Sequence, residues 1–444
     1  MRIHETLFDL KLRFLGSKPR TFYSALRDIE SLDFEQLAHL NWMRRLRLVK
    51  FCAENIPFYR KKFRAVGFDF RDLKTEHDFE MLPLLEKDEI RFNYSEIVNP
   101  SFNINRLRAA TTGGTTGTPL KTYNDPRVHL SSISWRMLKW WGLAPTDNSC
   151  YLYRAIPQGF RKMMLDIALW PTKRRYISAA DMTSQNMELL YRNLLSVKPK
   201  YLVGYVGALD AFARFLSKNS YSLPGLIAVW STSSPLTEGS RIFFERIFRC
   251  PVYTQYGSCE FYWIAAECAL QDGMHIGSDI RHIDIVEGNK PVDKGQIGDI
   301  VVTDLVNYAF PLLRYRIGDR GRLLNRACCC GLPYPMMDYV KGRVSDAIHM
   351  PDETVIPGEY WTTIFDDFSN EVQRFQVWQY ADYSLEIRYE PMFQANSSMA
   401  IEIVEKRLSK KLADRIPVRF KQCVISGNED GKMRFVVSEV IDSK

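Results

Sequence analysis

The segment "ATTGGTTGTPL", Ala110–Leu120, places three glycines and five threonines in eleven residues. Glycines allow backbone conformations in which successive N–H groups converge on one point, and threonine hydroxyls add further donors. That combination suits a polyphosphate, although a Gly/Thr-rich turn without a ligand explains the isolated segment more simply. Neither a Gly-Lys-Ser/Thr ending nor a GxGxxG pattern is present. The sequence therefore argues against the Walker and dinucleotide-binding folds. The function of this loop has to be inferred from other segments of the chain.

Length and composition indicate a large globular chain. Its 444 residues are 46% hydrophobic and 13% aromatic, enough for a sizeable core divided among two or three domains. The 60 Lys and Arg residues against 52 Asp and Glu give a formal charge of +8, a mild excess that predicts no nucleic-acid partner. The amphipathic start predicts neither a signal peptide nor an anchor, and the absence of a long apolar run predicts no membrane span. Nine cysteines without an export signal predict a reducing cytoplasm.

The hydrophobic pattern changes along the chain. Up to Pro100 the apolar residues recur at helical spacing, which predicts a helical scaffold. From Arg106 to Cys250, short apolar runs alternate with helical stretches, and this alternation predicts an α/β layer with a largely parallel sheet. The stretch from His282 to Leu324 is β-rich with Gly and Asp turn signals, and the residues after Arg343 predict a small α+β domain.

Four further segments follow the Gly/Thr loop in order: "QYGSCEF" (255–261), "YRIGDRGRL" (315–323), "KGRVSDAI" (341–348) and "EDGKMRF" (429–435). Together these segments resemble the adenylate-forming superfamily of acyl-CoA synthetases, luciferases and peptide-synthetase adenylation domains. Within it, the chain is most similar to the phenylacetate-CoA ligase and coenzyme F390 synthetase group. That group includes CapK-like proteins linked to capsular polysaccharide synthesis.

The resemblance extends from about residue 50 to the end of the chain, through segments such as "LPLLEKDEIR" (82–91) and "GQIGDIVVTDLVNYAFPLLRYRIGD" (295–319). It implies an α/β fold in which residues 1–343 form a large amino-terminal adenylate-forming domain of layered sheets with a β-rich subdomain. Residues 344–444 would form a small α+β lid that rotates about the Asp346 region.

The resemblance also implies the ATP site. The Gly/Thr loop would hold the β- and γ-phosphates, Tyr256 would stack on adenine, and Asp319 would accept hydrogen bonds from both ribose hydroxyls. Arg343 would contact the nucleotide near the hinge. The full nucleotide-binding set implied in this way is Thr111, Thr112, Gly113, Gly114, Thr115, Thr116, Gly117, Ser233, Ser234, Tyr256, Gly257, Asp319 and Arg343.

Two residues are implied as catalytic. Glu260 would bind Mg²⁺, because a hard carboxylate oxygen suits that ion beside phosphates. Lys432 would stabilise the in-line displacement in which a carboxylate attacks the α-phosphate and pyrophosphate leaves. Each residue alone is more typical of a surface charge or a structural ion pair. Because both residues occur in the order that the resembled family shows along the chain, the catalytic interpretation is favoured.

The predicted reaction therefore uses a small carboxylic acid, ATP and an acyl acceptor. Acid and ATP would give acyl-AMP and pyrophosphate, and coenzyme A would then take the acyl group. Two alternatives stay open: transfer to an amine or hydroxyl of a polysaccharide or other cell-envelope precursor, and a nucleotide-binding partner without turnover.

A second set of residues is independent of ATP. The segment "ECALQDGMH" supplies Cys268 and His275, and "RACCCGLP" supplies Cys328, Cys329 and Cys330. Three thiolates and one imidazole make a closed Cys₃His set for tetrahedral Zn²⁺, which is structural rather than catalytic. The predicted ligands are Cys268, His275, Cys328 and Cys330, with Cys329 pointing away. The alternative is that these thiols pack as small hydrophobes.

Overall fold

The structure is a computed structural model. It describes residues 6–8, 10, 18–111, 120–153, 156–179, 182–232, 234–340, 342–343, 348–352, 355–356, 358–361, 364–368, 370–392, 395–412, 415–425 and 435–440.

The described helices, in chain order, are α1 (Lys18–Ile29), α2 (Phe34–Asn55), α3 (Pro57–Ala65), α4 (Glu76–Glu80), α5 (Lys87–Ile97), α6 (Leu130–Trp140), α7 (Gly159–Leu169), α8 (Ser184–Val197), α9 (Val206–Lys218), α10 (Glu238–Phe248), α11 (Gly358–Trp361) and α12 (Ser398–Leu412). Short 3₁₀ turns occupy Phe70–Asp72, Ile104–Arg106 and Asp366–Phe368.

The described strands are β1 (Arg108–Thr111), β2 (Lys121–Asn124), β3 (Ser149–Tyr153), β4 (Arg174–Ser178), β5 (Tyr201–Tyr205), β6 (Ala228–Thr232), β7 (Val252–Tyr256), β8 (Ala265–Glu267), β9 (Met274–Ile276), β10 (Arg281–Glu287), β11 (Lys290–Pro291), β12 (Gly298–Asp304), β13 (Tyr315–Gly321), β14 (Met336–Met337), β15 (Gly342–Arg343), β16 (Ile348–His349), β17 (Val355–Ile356), β18 (Val372–Gln379), β19 (Leu385–Pro391), β20 (Val418–Gln422) and β21 (Val436–Ser438).

The chain divides into two compact units, each assembled from separate stretches. The first unit is built mainly from Glu5–Trp141 and Gln255–Val340, and the second from Gly142–Thr254 and Lys341–Lys444.

The first unit begins with the predicted helical scaffold. Helix α2 starts at a capping box, in which Asp33 accepts from the backbone N–H of Gln36 and the Gln36 side chain accepts from that of Asp33. Its buried side, including Leu48 and Cys52, belongs to the same apolar core as Ile285 of β10 and Ile300 of β12. Those two isoleucines are opposite each other in the antiparallel sheet β11-β10-β12-β13. The β-rich stretch predicted from the sequence is therefore confirmed.

The first unit also contains a smaller antiparallel layer. The last two residues of β7 pair with β8, which is followed in the sheet by β9 and β14. Residue Gln255 lies opposite Ala266, and His275 on β9 lies opposite both Ala266 and Met336. This layer carries Tyr256 at the end of β7 and His275 on β9.

The second unit contains the predicted parallel sheet. Strands β4, β3, β5, β6 and β7 are consecutive neighbours and all pair in parallel. Tyr201–Val203 of β5 is fully buried, as expected for a strand covered on both faces. The core on this sheet includes Leu190 of α8, Phe212 of α9 and Phe244 of α10.

A second sheet of this unit, ordered β20-β19-β18-β21, is built from the end of the chain. Val404 and Leu408 of α12 pack in one core with Val377 of β18 and Ile387 of β19. The paired strands and the amphipathic helix predicted after Arg343 are thus confirmed.

The carboxyl-terminal sheet packs against α9 and α10 of the same unit. At Gly239, an added β-carbon would lie 2.5 Å from the carbonyl oxygen of Val372, so only glycine fits this helix-to-strand contact. The hydroxyls of Thr237 and Ser240 each donate to the backbone carbonyl of Gln373 at 3.3 Å. A buried ion pair adds to them, in which Arg374 Nη1 lies 2.8 Å from Asp210 Oδ2.

The α/β fold class predicted from the sequence is confirmed. The predicted boundary between residues 343 and 344 stays a prediction.

Candidate active site and metal centre

The segment after β7 carries the first group of predicted site residues. Tyr256 is the last residue of β7, and Gly257 begins the turn that follows it. A β-carbon at Gly257 would lie 2.1 Å from the carbonyl oxygen of Tyr262, so any larger residue would force this turn to move. The close approach fixes the short path from Tyr256 to Glu260.

Tyr256 and Asp319 are brought into direct contact. The Tyr256 hydroxyl donates to Asp319 Oδ2 at 2.8 Å, although the residues are 63 positions apart. Asp319 lies on β13 directly after Gly318, whose φ of +92° is in the left-handed region. The β12–β13 register shifts between Asp299 and Val301, which marks an irregularity in this part of the ladder. Such irregularities redirect side chains beside functional sites.

Glu260 lies in the same unit and is buried, with 6% of its surface exposed. Its Oε1 accepts a hydrogen bond from the hydroxyl of Tyr315 at 3.3 Å. Burial, and then the nearby Glu260 carboxylate, raise the pKa of Tyr315, so this phenol keeps its proton and remains a donor. Tyr315 was not among the residues predicted from the sequence. Tyr315 lies four residues before Asp319 in the segment 315–323, but this spacing does not reveal its contact with Glu260.

Several predicted nucleotide-binding residues lie outside the described residues: Thr112, Gly113, Gly114, Thr115, Thr116, Gly117 and Ser233. The catalytic candidate Lys432 lies outside them as well. Thr111 ends β1, Arg343 ends the short strand β15, and Ser234 follows β6 in the second unit. The described residues that come together are therefore Tyr256 with Asp319 and Glu260 with Tyr315.

The predicted metal ligands Cys268, His275, Cys328 and Cys330 form one cluster. Their four ligand atoms all lie within 4.8 Å of one another. Cys268 Sγ lies 3.7 Å from Cys328 Sγ, and Cys330 Sγ lies 3.3 Å from His275 Nε2.

These distances fit a tetrahedral metal site. Zinc–sulfur bonds of about 2.3 Å place two thiolates of a tetrahedron ~3.8 Å apart, whereas a disulfide holds its sulfurs at about 2.0 Å. The 3.7 Å separation of Cys268 and Cys328 matches the first value. Cys329 is exposed and does not belong to the cluster.

Neighbouring backbone groups contact three of the four candidate ligands, Cys268, Cys330 and His275. The N–H groups of Leu270 and Leu332 lie 3.4 and 3.5 Å from the sulfurs of Cys268 and Cys330, where they stabilise thiolate charge. His275 Nδ1 faces the carbonyl oxygen of Tyr334 at 3.4 Å. A proton on Nδ1 that donates to this carbonyl leaves the Nε2 lone pair for a metal.

Without a metal, the thiols of Cys268 and Cys330 keep their protons at neutral pH. Burial raises the pKa of Cys268 to about 12, and it also raises the pKa of Cys330. Burial lowers the pKa of His275, which favours the neutral imidazole that binds metal. A bound cation would therefore displace protons from the thiols.

Comparison with solved structures identifies the fold. The chain has a TM-score of 0.73 with a crystal structure of 2-hydroxyisobutyryl-CoA ligase, at 19% identity, covering 93% of this chain and 91% of that chain. An anthranilate CoA ligase, AuaEII, gives a TM-score of 0.51 at 12% identity over 73% of this chain and 65% of that one. The fold is that of the adenylate-forming CoA ligases.

Curated relatives are more specific. The chain is 25% identical to phenylacetate-coenzyme A ligase of Thermus thermophilus, covering 92% of this chain and 98% of the relative. It is 24% identical to protein CapK of Staphylococcus aureus, covering 74% of each chain. No protein-family model matches the chain. The resemblance to the phenylacetate-CoA ligase and CapK-like group, predicted from the motifs, is confirmed.

Proposed function

We propose that this protein is an ATP-dependent ligase that activates a carboxylic acid as acyl-AMP and transfers the acyl group to coenzyme A. The observation that carries the proposal is the hydrogen bond of 2.8 Å between Tyr256 and Asp319. This hydrogen bond joins two residues that, by the order of the motifs, are expected to bind the same ATP molecule. The similarity to phenylacetate-coenzyme A ligases along most of the chain supports the same reaction.

In this proposal, Asp319 binds the ribose hydroxyls and Tyr256 holds the carboxylate in position. An ionised carboxylate only accepts hydrogen bonds, so it matches two hydroxyl donors. Because Tyr256 contacts Oδ2 from β7, it limits rotation of the Asp319 side chain. The two strands thereby fix where the nucleoside binds.

Glu260 would hold Mg²⁺, and its donor chemistry fits that ion. Its buried carboxylate offers oxygen ligands, which Mg²⁺ prefers, and Tyr315 fixes the orientation of Oε1. When bound, Mg²⁺ neutralises charge on the phosphates. Lys432 and the Thr111–Pro119 loop complete the proposed site: the lysine stabilises the α-phosphate during attack, and the loop binds the departing pyrophosphate.

The test is acid-dependent exchange of pyrophosphate into ATP with aryl, fatty, hydroxy and amino acids, each followed by AMP release with and without coenzyme A. We expect exchange with at least one acid class and faster AMP release when coenzyme A is added. ATP binding without exchange for any acid class would contradict the proposal and favour a nucleotide-binding partner without turnover.

A second candidate keeps the first step and changes the acceptor. The similarity to protein CapK over 74% of the chain favours it, because the CapK-like group implies an amine or hydroxyl acceptor on a polysaccharide or other cell-envelope precursor. Exchange with an acid together with AMP release that is insensitive to coenzyme A would select this candidate.

We also propose that Cys268, His275, Cys328 and Cys330 hold a structural Zn²⁺. Four protein ligands close the coordination shell, so no position is left for a substrate. All nine cysteines of the chain are free of disulfides, which fits the reducing cytoplasm that we propose as the location.

A further inference from the structure

Helix α7 of the second unit exposes large apolar side chains along its length. No residue of this helix is buried. The exposed fractions are 72% for Phe160, 51% for Met163, 49% for Met164, 59% for Ile167 and 60% for Trp170, directly after the helix.

These side chains form one continuous stripe. Positions 160, 163, 164 and 167 follow the i, i+3, i+4, i+7 spacing that places residues on one face of an α-helix. Leu165 and Leu169 lie outside this spacing and are half-buried. Scattered exposed apolar residues are ordinary on protein surfaces, but four on one helical face, followed directly by an exposed Trp170, are typical of an interaction surface.

Three exposed basic residues next to the stripe, Arg161, Lys162 and Lys173, form a basic border. The segment Ile156–Ser178 contains five Lys and Arg residues and one acid, Asp166, so it carries half of the formal net charge of +8. The single acid is paired, because Lys162 Nζ lies 3.1 Å from Asp166 Oδ2.

The turn after the helix is fixed in place. The hydroxyl of Thr172 donates to the carbonyl of Thr146 at 3.0 Å, and the N–H of Lys173 donates to Asn148 Oδ1 at 2.8 Å. Trp170 and Lys173 are therefore presented by an ordered turn.

We propose that α7, Trp170 and their basic border bind the surface of a membrane that contains anionic lipids. An apolar helical stripe with Trp and Phe, flanked by Lys and Arg, buries its apolar side chains among acyl chains while its cations contact anionic headgroups. With eleven residues, α7 is too short to cross a bilayer, so it lies in the plane of the interface. No helix in the described part of the chain is long and apolar enough to span a membrane.

A second copy of the chain matches this surface less well. In a two-fold symmetric dimer the same patch meets itself, so the basic borders of both copies would face each other. Like charges in that arrangement oppose association. An anionic bilayer supplies both the apolar phase and the opposite charge.

The test is co-sedimentation of the full chain with vesicles of phosphatidylcholine alone, or of phosphatidylcholine in which about one lipid in three is phosphatidylglycerol. We expect binding to the anionic vesicles that weakens in high salt, and little binding to phosphatidylcholine. Phe160→Ser should reduce the bound fraction about tenfold, since burial of one Phe corresponds to roughly that factor. Phe92→Ser provides the matched control, because Phe92 is 83% exposed on α5 and outside the patch.

A charge variant tests the border separately. Arg161→Glu combined with Lys173→Glu leaves the apolar stripe intact and should also remove binding to anionic vesicles. Absence of wild-type binding, or equal binding by the Phe160 and Phe92 variants, would overturn the proposal. A wild-type dimer that Phe160→Ser converts to monomer, without vesicle binding, would assign the patch to self-association instead.

Discussion

At the scale of single residues, the contact between Tyr256 and Asp319 gives the sharpest prediction. Tyr256→Phe keeps the aromatic ring and removes one hydrogen bond to a carboxylate, which is worth about 1.5–3 kcal/mol. We therefore expect the KM for ATP in pyrophosphate exchange to rise about tenfold. Tyr94→Phe, on α5, removes an equivalent hydroxyl from an exposed ring and should leave the KM unchanged. Equal KM values for both variants would contradict the role of the pair.

The cysteine cluster offers a matched pair of adjacent residues. Cys330→Ser removes a ligand whose sulfur lies 3.3 Å from His275 Nε2, so we expect the purified protein to lose its zinc and its unfolding midpoint to fall by ~5 °C or more. Cys329→Ser changes the exposed neighbouring residue, so we expect this variant to keep its zinc and its unfolding midpoint. Elemental analysis with thermal unfolding measures both quantities. Wild-type protein without stoichiometric metal would refute the zinc proposal.

The same cluster predicts a pH dependence of zinc retention. Metal binding must displace protons from buried thiols, and burial raises the pKa of Cys268 to about 12. Each fall in pH therefore favours the protonated, metal-free form. We expect zinc to be retained at about pH 8 and lost progressively below about pH 6 on dialysis against a chelator. Retention that does not change across this range would contradict ligation by these thiols.

The sequence predicted some of these residues and missed others for a physical reason. Tyr256, Glu260 and Asp319 belong to short motifs whose order along the chain is itself informative. Tyr315 reaches Glu260 across 55 positions, and its hydrogen bond depends on how β13 faces the segment after β7. A local pattern does not encode that relation. The proximity of Cys268, His275, Cys328 and Cys330 was predictable because Cys and His are rarely clustered without a chemical reason.

At the scale of elements, the packing of the carboxyl-terminal sheet against α9 depends on a buried ion network. Asp210 accepts from Arg374 at 2.8 Å and from Arg214 at 2.7 Å. Arg374 Nη1 also donates to the carbonyl oxygen of Ile425 at 3.0 Å, whereas its Nε and Nη2 have no hydrogen-bond partner among the described residues. Asp210 is therefore the only carboxylate among the described hydrogen-bond acceptors of this guanidinium. Burial raises the pKa of Glu390, which pairs with Arg214 at the edge of the network.

Asp210→Ala should therefore be strongly destabilising. It leaves a buried arginine without its carboxylate, and we expect the free energy of unfolding in urea to fall by about 3–5 kcal/mol. Asp367→Ala is the control, because its pair with Arg407, also 2.8 Å long, is exposed and should contribute less than ~1 kcal/mol. If both variants lose a similar free energy of unfolding, burial of the ion pair does not determine the loss of stability, which would contradict this prediction.

The elements themselves were largely predictable, whereas their packing was not. Alternation of apolar runs predicted the parallel sheet, and the amphipathic pattern predicted α12. The contact at Gly239 had no sequence signal, because a glycine inside a helix is equally consistent with several causes. Its reason is the carbonyl oxygen of Val372, far along the chain, which lies 2.5 Å from the point that a β-carbon at position 239 would occupy.

At the scale of the whole molecule, the proposed reaction requires a residue from the end of the chain. Lys432→Ala should lower acid-dependent pyrophosphate exchange by about a hundredfold or more, because it removes the cation that we propose to stabilise charge on the α-phosphate. Lys421→Ala, which removes an exposed lysine from β20, should leave the exchange rate unchanged. An unaltered rate in the Lys432 variant would refute the assigned role. The division of labour between residues 1–343 and 344–444 stays a prediction that this variant also probes.

The cysteine cluster has a consequence for the chain that it encloses. Cys268 and Cys328 are 60 positions apart, and strands β10 to β13 lie between them, including the strand that carries Asp319. A metal ion bound by both cysteines would link the two ends of that stretch, as a cross-link does. The link would lower the conformational entropy of the unfolded stretch. By analogy with a cross-link of this span, the entropic stabilisation is about 4 kcal/mol. Loss of the ion would then loosen the strand that carries Asp319 as well as the cluster. If Asp319 binds ribose as we propose, chelation should also weaken ATP binding.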